Sequence, residues 1–195
     1  LSRRFCLEAG ARQVREARDA QQCARFWKGR KNAITALGRR FPSYYLQDGV
    51  VPRSRLPEVL AAIETLSAEH GLPVANVFHA GDGNLHPLVL YNPKEPGVAK
   101  RVKQLGAAIL GLCIDVGGSI SGEHGVGSDK RCYMDWMYSG DDLATMLLVR
   151  QAFNPEGLAN PDKQFPTPRT CSESARRVRV LQAQGVTLPQ AAQVF

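Results

Sequence analysis

The spacing of apolar and polar positions changes period several times along the chain. From residue 8 to 37 Ala, Arg, Gln and Glu dominate and no proline intervenes. Val14, Ala17, Ala24 and Trp27 recur at roughly helical spacing, which predicts a helix closed by Gly38 and Pro42. Residues 43 to 51, SYYLQDGVV, are aromatic and β-branched and predict a strand that ends at Pro52. The helical period returns from Leu56 to His70, with Leu60, Ile63 and Leu66 on one face. Ser54 offers an N-cap there, Pro57 suits the first turn and Gly71 the C-cap.

VANVFHA and LHPLVLY read as two strands joined by Gly81-Asp82-Gly83-Asn84, a hairpin with a DG turn. Pro93 to Gly97 is a loop, and Val98 to Val116 predicts a long helix stopped by Gly117-Gly118. Asp141 to Phe153 predicts another helix, NPEGLANPDKQFP an irregular stretch, and residues 171 to 195 a basic, helix-like end. Strand, helix, hairpin, helix is an α+β order: an antiparallel sheet covered by helices, ferredoxin-like, followed by a C-terminal helical segment.

Composition narrows the classes. Hydrophobic residues make up 44% of the 195, enough for a core, and no run is long and apolar enough to span a membrane. The chain starts at Leu1 rather than methionine, so an upstream part is expected. Cys6, Cys23, Cys113, Cys132 and Cys171 include no CxxC pair. Neither a cysteine zinc site nor a disulfide framework is expected, which points to a reducing compartment. The net charge of +7 sits largely on arginines near the two ends. No nucleic-acid motif accompanies it, so it is read as solvated helix faces and no nucleic-acid partner is expected.

Candidate chemistry lies in two glycine-rich stretches. In FHAGDGNLHP, the hairpin makes His79 and His86 cross-strand neighbours, two imidazoles able to meet one divalent metal. Two ligands are too few, and structural histidines remain the alternative. GGSISGEHGVG supplies a third ligand in Glu123, with His124 beside it as a free base. Adjacent strand side chains point to opposite faces, whereas a glycine-rich loop can turn both toward one cavity. Such a site suits hydrolysis by metal-bound water, or oxidation of an alcohol whose proton His124 removes. The second needs a hydride acceptor, and no dinucleotide fingerprint is present in this chain.

Five stretches in order, FWKGRKNA, YYLQDGVVPRSRLPEVL, VANVFHAGDGNLHPLVLYNP, CIDVGGSISGEHGVGSDKRCYM and AFNPEGLANPDKQFPTP, resemble the C-terminal region of FAD-linked oxidases of the vanillyl-alcohol oxidase type, in their glycolate oxidase-like branch. The resemblance runs from about Arg18 to Cys171, and HAGDGNLHP together with GEHGVG makes it specific. It implies an N-terminal domain, absent from this chain, that holds most of the FAD. Residues 1–140 would be the cap over the flavin and residues 141–195 a helical segment returning to the FAD domain. It also implies oxidation of a small 2-hydroxy acid, glycolate or a similar one, to the 2-oxo acid. Electrons would pass to partner subunits such as an iron-sulfur protein, or to quinone. A cytoplasmic protein, or one peripheral to the inner membrane face through its partners, is expected, and this chain by itself should be inactive.

By the same resemblance His79, His86 and Glu123 bind a divalent metal (Zn, Mn or Fe) and His124 is the base. Arg30, or its neighbour Lys31, binds the substrate carboxylate, and Asn160 lies near the flavin. Asp162 stands where the family's terminal pattern has glycine, a tolerable change if the turn needs positive φ. Leu46 and Leu88 occupy positions where the 2-hydroxyglutarate branch carries lysine and asparagine, which argues for a monocarboxylate. The alternatives are a D-lactate dehydrogenase and a stand-alone metal-binding module without catalysis.

Overall fold

The structure is a computed structural model that describes residues 2–166. It divides into two compact units, Leu1–Pro42 and the chain from Ser43 onward. The first unit holds helices α1 (Ser2–Glu8), α2 (Ala20–Lys31) and α3 (Ala33–Leu37), none with a buried residue. The single helix expected over 8–37 is therefore broken. Gly10 turns to φ +88 after α1, and Asp19 starts α2 afresh by accepting a 2.6 Å bond from the Gln22 amide. A stretch with good propensity in which no residue is buried has no packing to hold it as one helix.

The second unit is built on β4 (Asn84–Tyr91), flanked by β3 (Val74–His79) on one side and by β1 (Ser43–Leu46) and β2 (Gly49–Val50) on the other, all antiparallel. β1 and β2 share one register: Leu46 faces Leu88 and Gly49 faces Leu85, so Gln47 and Asp48 fall opposite Pro87 and His86. The expected strand over 43–51 is thus one line of chain with a gap in its ladder. Pro87 has no N–H to give there, and only its carbonyl is used, accepting from the Gln47 amide at 3.0 Å.

One face of this sheet packs on helices α4 (Leu56–His70) and α5 (Val98–Asp115). Leu85, Val89, Tyr45, Val74 and Phe78 meet Val59, Ile63, Leu105 and Ile109 in a continuous core. Fully burying an aliphatic side chain, as at Leu85, Val89, Val59, Ile63, Leu105 and Ile109, contributes roughly 2 kcal/mol apiece. α4 has the expected limits, with Pro57 in its first turn and Gly71 in the left-handed C-cap. Ser54 is not its cap; it lies in a 3-10 turn, Arg53–Arg55, that feeds the helix directly.

After α5 the chain returns to the sheet for a single antiparallel bridge, Ser119 with Val50, made by two 2.9 Å bonds. The spatial order, the Ser119 bridge, then β1–β2, then β4, then β3, is that of a ferredoxin-like layer with its last strand cut to one residue. Gly118 permits this close return, because a Cβ there would sit 1.9 Å from the Val50 carbonyl oxygen. α6 (Gly140–Phe153) follows, opened by a capping box of Ser139 and Asp142, and Leu143 joins a second core cluster with Leu110, Ile120 and Phe165. Residues 154 to 166 are irregular, as expected, and the helix-like stretch expected over 171–195 lies outside the described residues. Among the described residues no helix is long and apolar enough to cross a membrane. Cys6, Cys23 and Cys113 are free thiols, whereas Cys132 is disulfide-bonded, a correction to the expectation from cysteine spacing.

Candidate active site

The sheet face turned away from α4 and α5 carries the chemistry. Strand alternation puts Asp48, Asn84 and His86 on that face together with His79 at the end of β3. The hairpin register pairs His79 with Asn84 and Val77 with His86, so the two histidines are diagonal neighbours. Their rings meet edge to face with centroids 5.4 Å apart. His86 is buried and His79 half-exposed.

The Ser119 bridge delivers the glycine-rich loop to this face. Glu123 and His124, adjacent in sequence, both turn to His86. Glu123 Oε1 lies 2.8 Å from His86 Nε2, 3.9 Å from His79 Nε2 and 3.8 Å from His124 Nε2. The His124 ring stacks on that of His86 at 5.1 Å between centroids. The structure therefore brings together His79, His86, Glu123 and His124 from three separate segments.

The carboxylate of Asp48, missed in the sequence, holds the loop. It accepts from the Ser121 hydroxyl at 2.9 Å and from the amides of Gly122, Glu123 and His124 at 3.0, 3.2 and 3.0 Å. Buried Lys130 lies 3.4 Å from the same oxygen, and its ammonium donates to the Asp48 carbonyl at 2.7 Å. Burial alone would raise the Asp48 pKa. The His124 amide, the Ser121 hydroxyl, the Lys130 charge and the Gly122 amide outweigh it and hold the carboxyl well below the usual range. Burial likewise pulls the Lys130 ammonium below its ordinary pKa, with Asp48 opposing the shift. Tyr45, on the same line of chain, donates to Asp129 at 2.7 Å, and burial followed by that bond raises its pKa.

Two sets of donors meet the demands of a cation, His79 with His86 and Glu123, and Asp48 with His86 and His124, each mutually within 4.8 Å. Ligands on one metal at about 2.1 Å sit roughly 3 to 3.5 Å apart. The spread of 2.8 to 3.9 Å around Glu123 Oε1 straddles that range. The first set fits better, since the Asp48 carboxylate already receives five donors and a metal would have to displace them. Asn84 is buried beside these residues, its Oδ1 without a hydrogen-bond partner among the described residues. Gly122 makes room for that side chain, because a Cβ there would lie 2.5 Å from Asn84 Oδ1.

The remaining expected residues are carried by other elements. Arg30 is exposed in the last turn of α2, within the first unit. Asn160 has φ 47, and its carbonyl accepts from Arg150 at 2.7 Å. It borders an open cavity of about 820 Å³ that begins at Gly125, next to His124, and runs under Met146 and Phe153. Leu46 and Leu88 are direct cross-strand partners on the site face, two positions along β4 from His86.

Residues 2–164 match the FAD linked oxidases, C-terminal domain. The glycolate oxidase subunit GlcD of Escherichia coli (strain K12) is 52% identical over 167 residues, which are 86% of this chain and 34% of that protein. GlcD of Bacillus subtilis (strain 168) is 33% identical over 161 residues, 83% of this chain and 34% of that protein. A mitochondrial D-lactate dehydrogenase (cytochrome) of Kluyveromyces lactis is 32% identical over 155 residues, 76% of this chain and 26% of that protein. The chain spans about a third of the length of the GlcD relatives it matches. With a match over nearly all of the described residues, and both motifs folded into one site, the chain belongs to the FAD linked oxidases and carries their C-terminal domain.

Proposed function

We propose that this chain is the substrate-side portion of an FAD-dependent 2-hydroxy-acid dehydrogenase that oxidises glycolate or a similarly small acid. The observation that carries the reading is the convergence of His79, His86 and Glu123 donors within 4.8 Å, with His124 beside them. Residues 1–140 act as the cap and residues 141–195 as the segment that returns to a flavin domain. That two GlcD subunits cover most of this chain supports glycolate over D-lactate. It also supports work within a multi-subunit complex, whose other members would take the electrons and set where the enzyme resides.

The chain's residues divide the work. His79, His86 and Glu123 would hold a divalent cation, which when bound polarises the substrate hydroxyl and carboxylate. FAD, held mostly outside this chain, supplies the two-electron acceptor. His124, whose Nε2 lies 3.8 Å from Glu123 Oε1, would take the hydroxyl proton. By the sequence resemblance Arg30 would bind the substrate carboxylate, and Asn160, which borders the cavity that begins at Gly125, would lie near the flavin. Leu46 and Leu88 present no cation or amide to a second carboxylate.

Dye reduction by the intact protein tests this. Glycolate is expected to be oxidised faster than D-lactate. His124→Ala should lower kcat at least 100-fold, the usual worth of a general base. His79→Ala should lose the metal by elemental analysis. Full turnover by His124→Ala, or an unchanged metal content in His79→Ala, would overturn the assignment.

A further inference from the structure

We propose that Asp48 is a positioning residue for the metal and base: it fixes the loop that turns Glu123 and His124 toward His86. The proposal rests on reading His79, His86 and Glu123 as metal ligands, but its geometry stands apart from them. Consecutive residues in an extended chain send their side chains to opposite sides. Residues 122 to 124 escape that rule because three successive amides, with the Ser121 hydroxyl, point inward at one carboxylate. A concave run of amides of this kind normally awaits an anion from solution. Here the chain supplies its own, from a residue more than 70 positions earlier.

Asp48 is itself fixed. It lies between β1 and β2, opposite His86 in the shared register, and it is wholly buried. Lys130 Nζ clamps both its carbonyl and its carboxylate. Its second oxygen faces the buried Nδ1 of His86 at 3.9 Å, a nitrogen without a hydrogen-bond partner among the described residues. One side chain thus borders the ring that both donor sets share and anchors the backbone that carries the other ligand and the base. Asp48 touches neither substrate nor metal in this arrangement; it acts through Glu123, His124 and His86.

The test titrates Mn²⁺ into the metal-stripped intact protein and measures amide exchange of residues 122–124 in the same samples. Asp48→Asn keeps the shape but sets a donor amide against the loop N–H groups. It should weaken Mn²⁺ binding 10- to 100-fold, as loss of a ligand-orienting partner typically does. Exchange at Gly122, Glu123 and His124 should rise with it. Ile63→Val, in the core on the other side of the sheet, should lower stability and leave both readouts unchanged. Wild-type Mn²⁺ affinity or wild-type protection in Asp48→Asn overturns the proposal. If Asp48→Asn does not fold, Ser121→Ala removes one donor and must move both readouts in the same direction; no change overturns the proposal equally. If the wild-type protein binds no Mn²⁺, the ligand reading fails, and the amide exchange alone decides whether Asp48 holds the loop.

Discussion

The backbone amide of His124 donates to the Asp48 carboxylate at 3.0 Å across a sequence gap of 76 residues. That bond ties the loop of one glycine-rich motif to the strand beside the other. Neither motif makes the site alone. The hairpin places His79 and His86, and the tie to Asp48 sets the Glu123–His124 pair against them.

The partner of that carboxylate gives a stability prediction. Lys130 is buried and its ammonium meets Asp48 twice. Lys130→Met removes the charge and leaves the Asp48 carboxylate short of a cation inside the fold. Breaking one side of a buried pair costs about 3 kcal/mol or more. Urea unfolding should show a lower midpoint with an unchanged slope.

Gly118→Ala addresses how the loop reaches the sheet. The added Cβ would lie 1.9 Å from the Val50 carbonyl oxygen and 2.6 Å from that of Cys113, both backbone atoms. Backbone cannot swing aside as a side chain can. The Ser119 bridge should open, at a cost of about 3 kcal/mol, and the amides of Val50 and Ser119 should lose exchange protection first.

Much of this was legible in the sequence where local chemistry decides. α4 runs from Leu56 to His70 as read, since Pro57 and Gly71 punctuate it. The hairpin follows from period-two strands around a DG turn, and its register makes His79 and His86 neighbours. Asp48 was not legible. It lies inside a stretch that reads simply as a strand, and its partners Ser121 to His124 lie more than 70 residues on. The Val50–Ser119 bridge brings them together, and a single bridge leaves no pattern in a sequence. The stretch 8–37 shows the reverse error, where composition and spacing promised one helix and the want of buried contacts denied it.

Cys113 gives a pH prediction. Burial pushes its thiol up to about 12 from an ordinary 9.0. The fold thus favours the protonated thiol, and the unfolded chain ionises first. Its stabilising contribution is complete below pH 9.0 and is lost as pH rises from there toward 12. The stability difference between the wild-type protein and Cys113→Ala should therefore shrink above pH 9.0. In the native state at pH 8, a disulfide reagent should label the exposed Cys6 and Cys23 and spare Cys113, as read by mass spectrometry of the labelled peptides.

Asp162 sits at φ 56, in the left-handed region, where the related pattern has glycine. A side chain other than glycine costs about 1 kcal/mol there, somewhat less for Asp, which tolerates the region better than most. The contact this residue makes through its backbone is independent of its side chain: the carbonyl accepts from Arg131. Asp162→Gly therefore removes strain without removing that bond, although glycine also loses more freedom on folding. The two effects are of similar size, so the melting temperature should stay within about 2 °C of the wild-type value. A larger fall in melting temperature would show that the Asp162 side chain contributes more to this turn than its backbone conformation costs.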